Sequence, residues 1–466
     1  MHWAQDSVFY HIYPLGLCGA PPSNDPISGM QSNEAITEGS ANNSGGAGLE
    51  RIYEWSGHLE WLGINALYLG PLFEARTHGY DTTDYFRVDR RLGDNRTLTA
   101  LVAHLHSKGI RVILDAVFNH IGRDFFAFRN LLSKRESSPY AAWFSGLRFD
   151  GTTPFGDPFT YDTWDGHYEL VKLDLRNREV IDYLLGVAAA WIAEFDIDGL
   201  RLDAANVMEP GFLGELSAHC HALKGDFWLV GEVVGGDYRQ WAGPTRLDSV
   251  TNYEAYKGLY SSLNDRNYFE IAYTLDRQFG TEGLYTGLPL YNFVDNHDVD
   301  RIASTLDNPA HLYPLSILLF TMPGVPSLYY GSEWGIPGRR LPSGDATLRP
   351  QLTPHEAYTQ SENRELVHTI RKLIRIRHGS SALRRGGYRK LAVAHEQLAF
   401  LRNSEGEECI VALNSSDHEV TIEFERPEGD ATDWRDLLNG QTVACAGQAV
   451  RVTLPPSWGA ILNPVA

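Results

Sequence analysis

The sequence predicts an α/β fold: a (β/α)8 TIM barrel with a subdomain inserted after the third strand and a C-terminal antiparallel β-sandwich. Apolar, strand-like runs alternate with helix-like segments, an aromatic-rich insertion follows the third run, and short alternating stretches begin beyond residue 381. Alternating strands and helices form parallel sheets with right-handed crossovers. Because eight such strands are predicted, a closed barrel is favoured over an open doubly wound sheet.

The individual elements follow from these patterns. The barrel strands are predicted at residues 8–13, 66–69, 111–114, 200–202, 228–230, 249–251, 290–294 and 327–330. The helices between them include residues 49–62, 98–108, 180–195 and 212–223. The sandwich strands are predicted at residues 397–402, 408–413, 419–424 and 449–454. The chain is thereby divided into a first barrel part at 1–120 (domain A), an inserted subdomain at 121–176 (domain B), a second barrel part at 177–380 and a C-terminal sandwich at 381–466 (domain C).

Two connections are too long for plain loops. Residues 15–48 contain a Gly/Ser/Asn-rich tract at 39–48, for which a disordered loop is favoured over an active-site lid. Residues 121–176 carry many aromatic side chains, which do not lie flat in water. We therefore expect this insertion to fold over the barrel mouth.

Composition excludes several classes of partner. A net charge of -19 over 466 residues argues against nucleic acid or an anionic membrane surface. Four scattered cysteines without a C-x-x-C pair indicate neither a zinc site nor a disulfide framework, and no metal or cofactor is expected. The first residues resemble no signal peptide and no run is long enough to span a membrane, so a cytoplasmic location is expected.

Three carboxylates follow predicted strands at regular distances. Glu232 lies 29 residues after Asp203, and Asp298 lies 66 residues after Glu232. One strand–helix unit of a barrel takes roughly 30 residues. The spacing therefore predicts that the three side chains stand at the ends of strands 4, 5 and 7, around one mouth.

The neighbours of these carboxylates suggest distinct roles. Arg201 lies two residues before Asp203 on the same strand face, and we expect its charge to keep Asp203 ionised, as a nucleophile requires. Glu232 follows an apolar run at 227–230, a setting that favours a proton donor. Two carboxylates in different roles are what glycoside hydrolysis needs, and a third can stabilise an oxocarbenium-like transition state.

Two other interpretations fit the residues less well. An enolase-type enzyme also places carboxylates on barrel strand ends around Mg²⁺, but Arg201 would stand among the ligands and no lysine occupies a strand end as base. Structural ion pairs can explain one carboxylate at a strand end, but not several carboxylates at the strand ends of one barrel. Glycoside hydrolysis is therefore favoured.

The motifs resemble those of the α-amylase family of glycoside hydrolases across nearly the whole chain. They comprise D-A-V-F-N-H at residues 115–120, G-L-R-L-D at 199–203, G-E at 231–232, F-V-D-N-H-D at 293–298, H-G-Y-D at 78–81 and G-V-P-S-L-Y-Y-G at 324–331. The resemblance implies that Asp203 is the nucleophile, Glu232 the general acid/base and Asp298 the transition-state stabiliser. It also implies a set of sugar-binding side chains: His78, Tyr80, His120, Arg201, Asn206, His297, Asp345 and Arg349.

Departures from the general pattern narrow the resemblance. Asn206 is similar to the cyclomaltodextrinase and neopullulanase branch, although Val207 replaces the glutamate of that branch. Lys172 stands where secreted amylases carry a calcium-binding aspartate, and only seven of 40 basic residues are lysine. We therefore expect no calcium site in the inserted subdomain despite Asn119; a solvated surface lysine is the alternative.

These observations predict a retaining α-glucan hydrolase that acts on short or cyclic maltooligosaccharides, a small cyclic glucan with mixed α-1,4 and α-1,6 links included. A transglycosylase or isomerase on the same fold and a non-catalytic α-glucan-binding protein are the alternatives. Members of the branch usually carry an N-terminal sandwich domain that helps to form a dimer, whereas this sequence begins almost at strand 1. A homo-oligomer is allowed but would have to form through other parts, such as the first long loop.

Overall fold

Eight parallel strands form a barrel in the computed structural model, which describes residues 2–25, 48–342, 344–427, 433–446 and 449–465. The barrel strands are β1 (Phe9–Ile12), β2 (Ala66–Leu69), β3 (Arg111–Ala116), β4 (Gly199–Leu202), β5 (Trp228–Gly231), β6 (Ser249–Val250), β7 (Tyr291–Asn292) and β8 (Val325–Tyr329). Their order around the sheet is β6-β5-β4-β3-β2-β1-β8-β7. The predicted barrel is confirmed.

The barrel closes through a seam between β6 and β7. Thr251 forms an isolated parallel bridge with Tyr291, and the Asn252 N–H donates to the Tyr291 carbonyl at 2.8 Å. Buried side-chain amides reinforce this seam: Asn252 Nδ2 donates to Asn292 Oδ1 and to Gln278 Oε1, both at 2.9 Å, and Gln278 Nε2 donates back to Asn252 Oδ1 at 2.9 Å. Side chains thus supply hydrogen bonds that a longer pair of strands would have made with backbone groups.

Helices cover the outside of the barrel. The longer ones are Glu50–Leu62, Asn95–Ser107, Arg178–Phe195, Pro210–Leu223, Tyr253–Asn264, Tyr268–Phe279, Leu312–Thr321 and Arg364–Gly379. Arg178–Phe195 illustrates why they form: the Asn177 side chain caps the first turn by accepting from Glu179 N and Val180 N, and buried apolar residues recur along one face. The helix ends at Asp196, which adopts a left-handed conformation.

The insertion after β3 packs at the barrel mouth. It contains the helix Phe126–Lys134 and a three-stranded antiparallel sheet of His120–Gly122, His167–Lys172 and Thr163–Trp164, with the middle range at its centre. Arg123 binds Asp157 through both terminal nitrogens at 2.7 Å, which ties the loop to the start of the insertion. The sheet starts directly at His120, so it reaches the strand ends of the barrel.

The C-terminal region is an antiparallel β-sandwich. Its strands are β9 (Gly387–Val393), β10 (Gln397–Ser404), β11 (Glu407–Asn414), β12 (Val420–Glu425), β13 (Asp433–Asp436), β14 (Thr442–Ala446), β15 (Ala449–Leu454) and β16 (Trp458–Pro464). Alternate side chains of β10 point to opposite sides: Leu398 and Phe400 join the core of the barrel, while Ala399 and Leu401 join the interior of the sandwich. One face of this region is therefore part of the barrel core.

Two further expectations bear on the whole chain. The predicted Gly/Ser/Asn-rich tract at 39–48 lies outside the described residues except for Gly48, and residues 26–47 of the first long loop lie outside them as well. Within the described ranges, no helix has the length and apolar character needed to cross a bilayer.

Candidate active site

The ends of β4 and β5 bring Arg201, Asp203 and Glu232 together. Arg201 lies within β4, whereas Asp203 and Glu232 are the first residues after β4 and β5. The guanidinium Nη1 donates to Asp203 Oδ1 at 2.9 Å, and Nη2 lies 2.9 Å from Glu232 Oε1. The Ala204 N–H also donates to Glu232 Oε2 at 3.0 Å. The two carboxylates are therefore neighbours on the two terminal nitrogens of one guanidinium.

A third carboxylate, Asp115 near the end of β3, also binds Arg201. Its Oδ1 accepts from Arg201 Nη1 at 2.9 Å, and its Oδ2 accepts from the hydroxyls of Tyr68 at 2.8 Å and Tyr80 at 3.1 Å. Every one of these side chains except Tyr80 is at least nine-tenths buried. Arg201 is thus fixed by a hydrogen-bonded network, which satisfies a charge that would be costly to bury alone.

Asp298 is held on the opposite side of the mouth, beyond β7. Its Oδ2 lies 2.9 Å from His297 Nε2, and its Oδ1 accepts from Arg349 Nη2 at 3.0 Å. Arg349 also binds Asp345 Oδ2 at 3.1 Å and packs its guanidinium over the Tyr13 ring at 4.6 Å. Asp345 and Arg349, both nominated from the sequence, are thereby linked to Asp298.

His120 stands between the barrel and the inserted subdomain. Its Nε2 lies 3.9 Å from Asp203 Oδ2 and has no hydrogen-bond partner among the described residues. Burial, aided by the charges of His78 and Lys172, lowers the pKa of His120 to about 3, so the ring is neutral at physiological pH. The exposed ring of Trp164 lies 5.9 Å from it, at the rim. A neutral imidazole with a free nitrogen can bind a sugar hydroxyl.

The electrostatics of Asp203 differ from the sequence expectation. Arg201 is predicted to keep Asp203 ionised, yet burial raises the pKa of Asp203. Arg201 opposes this shift, and the negative charges of Glu232, Asp115 and Asp298 add to it. Burial is the largest cause of the raised pKa, and one guanidinium shared among several carboxylates does not offset it.

Asp298 shows the opposite shift. Burial alone would raise the pKa of Asp298, but the charge and hydrogen bond of His297, together with Arg349 and Arg201, hold it well below its usual range. Asp298 is therefore the carboxylate that stays ionised, as a group that stabilises positive charge must be.

The backbone beside Asp203 is strained. Ala204 adopts a left-handed conformation with φ of 50°, which costs a non-glycine residue about 1–2 kcal/mol. This conformation directs the Ala204 N–H to Glu232, as described above. Strain of this kind collects at functional sites, where the surrounding contacts maintain it.

All the site residues nominated from the sequence are joined to this cluster by contacts. They are Asp203, Glu232, Asp298, His78, Tyr80, His120, Arg201, Asn206, His297, Asp345 and Arg349. Asn206 is joined only through its backbone, which donates to the Glu232 carbonyl at 3.3 Å; its side chain is exposed. The Nδ1 of His78 accepts from the Tyr80 N–H at 3.2 Å, and the Tyr80 hydroxyl hydrogen-bonds His297 Nε2.

Sequence reasoning missed other residues that line or support the site: Tyr13, Tyr68, Asp115, Trp164, Tyr253, Asn296 and Arg340. Asp115 carried a signal, because it opens the motif at residues 115–120, which follows a predicted strand. Tyr253 carried none, since its partner lies 21 residues away on another strand end. Within the described residues, no three His, Cys, Asp or Glu side chains are grouped as a metal site.

The geometry can be compared with known proteins. The family described as "Alpha amylase, catalytic domain" matches residues 38–370, and "Maltogenic Amylase, C-terminal domain" matches residues 388–460. The protein is thus a glycoside hydrolase with a barrel and a C-terminal sandwich. More particularly, the chain belongs to the α-amylase family.

Similar proteins include enzymes of one branch. The chain is 32% identical to neopullulanase 2 of Thermoactinomyces vulgaris, over 99% of this chain and 78% of that protein. It is 32% identical to a cyclomaltodextrinase of Geobacillus thermopakistaniensis, over 99% and 77%. Among solved structures, the ligand-free cyclic α-maltosyl-(1→6)-maltose hydrolase from Arthrobacter globiformis superposes with a TM-score of 0.80 at 28% identity, covering all of both chains.

Proposed function

We propose that the protein is a retaining α-glucan hydrolase that cleaves short or cyclic maltooligosaccharides by double displacement. The observation that carries this proposal is the binding of Asp203 and Glu232 to the two terminal nitrogens of Arg201, each at 2.9 Å. Retaining enzymes need their two carboxyl groups close together, at about 5–5.5 Å, because one of them bonds to the sugar directly. Two carboxylates on one guanidinium fit that requirement better than the wider spacing of inverting enzymes.

In the first step, Glu232 donates its proton to the glycosidic oxygen while a carboxylate oxygen of Asp203 attacks C1, so that a glycosyl-enzyme forms and the leaving sugar departs. In the second step, Glu232 takes a proton from water, the water oxygen bonds to C1 and the bond to Asp203 breaks. The attack requires the ionised form of Asp203, which Arg201, hydrogen-bonded to it at 2.9 Å, favours against the effect of burial. Asp298 remains ionised and stabilises the positive charge that develops on the sugar.

The remaining nominated residues have binding roles in this proposal. The ring of Tyr80 stacks on the sugar at the cleavage site, His120, Arg201 and His297 bind that sugar, and His78 lies nearby. In support of this arrangement, the rings of Tyr80 and His297 are stacked with centroids 5.5 Å apart, and the Tyr80 hydroxyl hydrogen-bonds His297 Nε2. Asp345 and Arg349 bind the next sugar, and the exposed side chain of Asn206 is available to contact the substrate.

We further propose a small cyclic α-glucan as the preferred substrate. The similar proteins are named for cyclomaltodextrins, pullulan and cyclic α-maltosyl-(1→6)-maltose. The last of these matches the present chain over its whole length, and its substrate contains both α-1,4 and α-1,6 links. The inserted subdomain, whose sheet places Trp164 at the rim, would limit access by long polymers.

A product screen tests the activity. Purified protein is incubated with maltotriose, cyclomaltodextrins, cyclic α-maltosyl-(1→6)-maltose, pullulan and soluble starch, and the products are separated by chromatography. Fastest turnover of the cyclic and short substrates, to shorter sugars of retained configuration, is expected. Main products longer than the substrate would indicate a transglycosylase, and rearranged products of equal size an isomerase; either would overturn the hydrolase assignment.

The Asp203→Asn variant tests the nucleophile. The variant is expected to fold as the wild type does, shown by circular dichroism, and to lose hydrolysis of every substrate by at least about 10⁴-fold, as loss of a covalent nucleophile does. Asp162→Asn, in the inserted subdomain, serves as a control with full activity. Full activity of Asp203→Asn would contradict the nucleophile assignment.

Wild-type turnover is expected to survive exhaustive EDTA treatment, because neither the chemistry nor the subdomain around Lys172 requires a metal.

A further inference from the structure

Tyr253 is the first residue of the helix that follows β6, and its hydroxyl lies between two strand ends. The hydroxyl donates to Glu232 Oε1 at 3.5 Å and accepts from Asn296 Nδ2 at 3.1 Å. Because Asn296 supplies a hydrogen to the phenolic oxygen, the hydrogen of the phenol itself is directed to the carboxylate. Burial, with the charges of Glu232 and Asp298, raises the pKa of Tyr253 well above its usual value, so the phenol remains a donor.

Asn296 links the same hydroxyl to Asp298. Its Oδ1 accepts from the Asp298 backbone N–H at 2.8 Å while its Nδ2 binds Tyr253. A continuous chain therefore runs from Glu232 through Tyr253 and Asn296 to the backbone of Asp298. It crosses from the end of β5 to the end of β7 and fixes the position of Glu232 relative to Asp298.

Among the residues that the structure describes, three donors face the Glu232 carboxylate. Arg201 Nη2 and the Tyr253 hydroxyl both face Oε1, and the Ala204 N–H faces Oε2. Arg201 is shared with Asp115 and Asp203, and the Ala204 N–H is fixed by the backbone. Tyr253 is the neutral side chain among the three, and it can be changed without removing a charge from the cluster.

We propose that Tyr253 is a positioning residue that stabilises the ionised form of Glu232, with Asn296 orienting its hydroxyl. The inference rests on the proposed acid/base role of Glu232. When Glu232 has given its proton to the glycosidic oxygen, the carboxylate left behind receives the Tyr253 hydrogen bond. That bond favours proton donation in the first step and holds the carboxylate in line for the water of the second step.

The Tyr253→Phe variant removes the hydroxyl and keeps the ring. Its kcat/KM on maltotriose is expected to fall about 10-fold to 100-fold, the range for one hydrogen bond to a charged group. The loss on 4-nitrophenyl α-maltoside is expected to be smaller, because nitrophenolate leaves without a proton. The alkaline limb of the kcat/KM profile is expected to shift to higher pH, since Glu232 loses a donor that favours its ionised form.

Tyr256→Phe is the matched control, one turn further along the same helix. The Tyr256 ring stacks on Phe293 at 5.1 Å, and this substitution is expected to leave both substrates and the pH profile unchanged. Equal losses on both substrates with an unshifted alkaline limb in Tyr253→Phe would indicate a merely structural role and overturn the proposal. So would activity in Tyr253→Phe equal to that of Tyr256→Phe.

The Glu232→Gln variant separates this inference from the proposed function. Wild-type turnover of maltotriose by Glu232→Gln would overturn the acid/base assignment itself. If Glu232→Gln is inactive on maltotriose, its residual activity on 4-nitrophenyl α-maltoside becomes the reference. Adding Tyr253→Phe to it is expected to cause no further loss, because residues that act as a unit are not additive; a full additional loss would contradict action through Glu232.

Discussion

The single guanidinium of Arg201 binds Asp115, Asp203 and Glu232, so one positive charge organises three carboxylates. Burying such a cluster adds little net stability, because the cost of removing the charges from water offsets their attraction. Its effect is on chemistry: burial and the neighbouring carboxylates raise the pKa of Asp203, while His297 and Arg349 hold the pKa of Asp298 below its usual range. At the scale of single residues, the pKa of each carboxyl group therefore depends on the balance of positive and negative charges around it.

The buried side chain of His120 leads to a prediction about how the stability of the protein depends on pH. The folded protein lowers the pKa of His120 to about 3 from its usual 6.5, so between these values the unfolded chain binds a proton that the folded chain does not. The stabilisation from neutral His120 is complete above pH 6.5 and is lost as the pH falls. Between pH 7 and pH 5, the free energy of unfolding is expected to fall by about 2 kcal/mol more for the wild type than for the His120→Gln variant. Urea unfolding at the two pH values measures this difference.

His167→Gln provides the comparison for that measurement. His167 also lies in the inserted subdomain, but its side chain is half exposed. This variant is expected to follow the wild-type pH dependence. If His120→Gln did so as well, His120 would not be the buried neutral group described above.

Among the elements, the seam between β6 and β7 shows how short strands can close a barrel. Each strand has two residues, and the buried amides of Asn252, Gln278 and Asn292 supply hydrogen bonds that the backbone ladder lacks. Asn252 also caps the next helix by accepting from the Ala255 N–H at 3.1 Å. One side chain therefore serves both the sheet and the helix.

The Asn252→Ala variant is expected to destabilise the protein by about 3 kcal/mol, since it removes a helix cap and leaves buried partners without hydrogen bonds. Chemical denaturation measures this change. The matched control is Asn177→Ala, which removes an exposed cap from the helix Arg178–Phe195 and is expected to cost about 1 kcal/mol. Equal costs for the two variants would show that the seam amides add nothing beyond capping.

Some strands could be predicted from sequence patterns and others could not. Long apolar runs such as β3 and β5 were predictable because buried parallel strands are continuously apolar. The sandwich strands β9, β13, β14 and β16 were not predicted. β9 contains Arg389 and Lys390 in succession, and β13 has four residues, so neither shows a clear alternation. β16 pairs with β11, a partner distant in sequence that a local pattern does not contain, whereas β9 forms a hairpin with the adjacent β10.

The site residues likewise include some that the sequence predicts and others that it does not. Asp203, Glu232 and Asp298 were predictable because each lies within a motif near a predicted strand end, and strand ends of a barrel converge. Asp203 and Glu232 directly follow β4 and β5, whereas Asp298 lies in the loop beyond β7, which ends at Asn292. The contacts of Tyr253 and Asn296, and the surplus of carboxylates over Arg201, depend on distances between separate strand ends. The domain boundaries at 120, 176 and 380 and the catalytic roles remain predictions.

For the molecule as a whole, the barrel and the sandwich share a core. Leu398, Phe400 and Val411 of the sandwich belong to the same buried cluster as the barrel. Arg402, fully buried, donates to the carbonyls of Thr321, Gly386 and Gly387 and so joins the two parts. We therefore expect them to unfold as one unit.

Calorimetry tests this expectation. The wild type is expected to show one unfolding transition, and Arg402→Met is expected to lower its midpoint without splitting it, by loss of about 3 kcal/mol from unsatisfied carbonyls. Arg451→Met, which removes a mostly exposed pair with Glu423 in the same region, is expected to change little. Two separate transitions in the wild type would contradict a shared core.

The two-sided burial of β10 has a consequence for protein engineering. A chimera that replaced the C-terminal region with that of a relative would have to match Leu398 and Phe400 against the barrel helices as well as Ala399 and Leu401 within the sandwich. Recombination at residue 380 would therefore cut through a packed interior instead of a linker. Exchange of this region is expected to succeed only when the helix Leu312–Thr321, which packs against the sandwich strands, is exchanged with it.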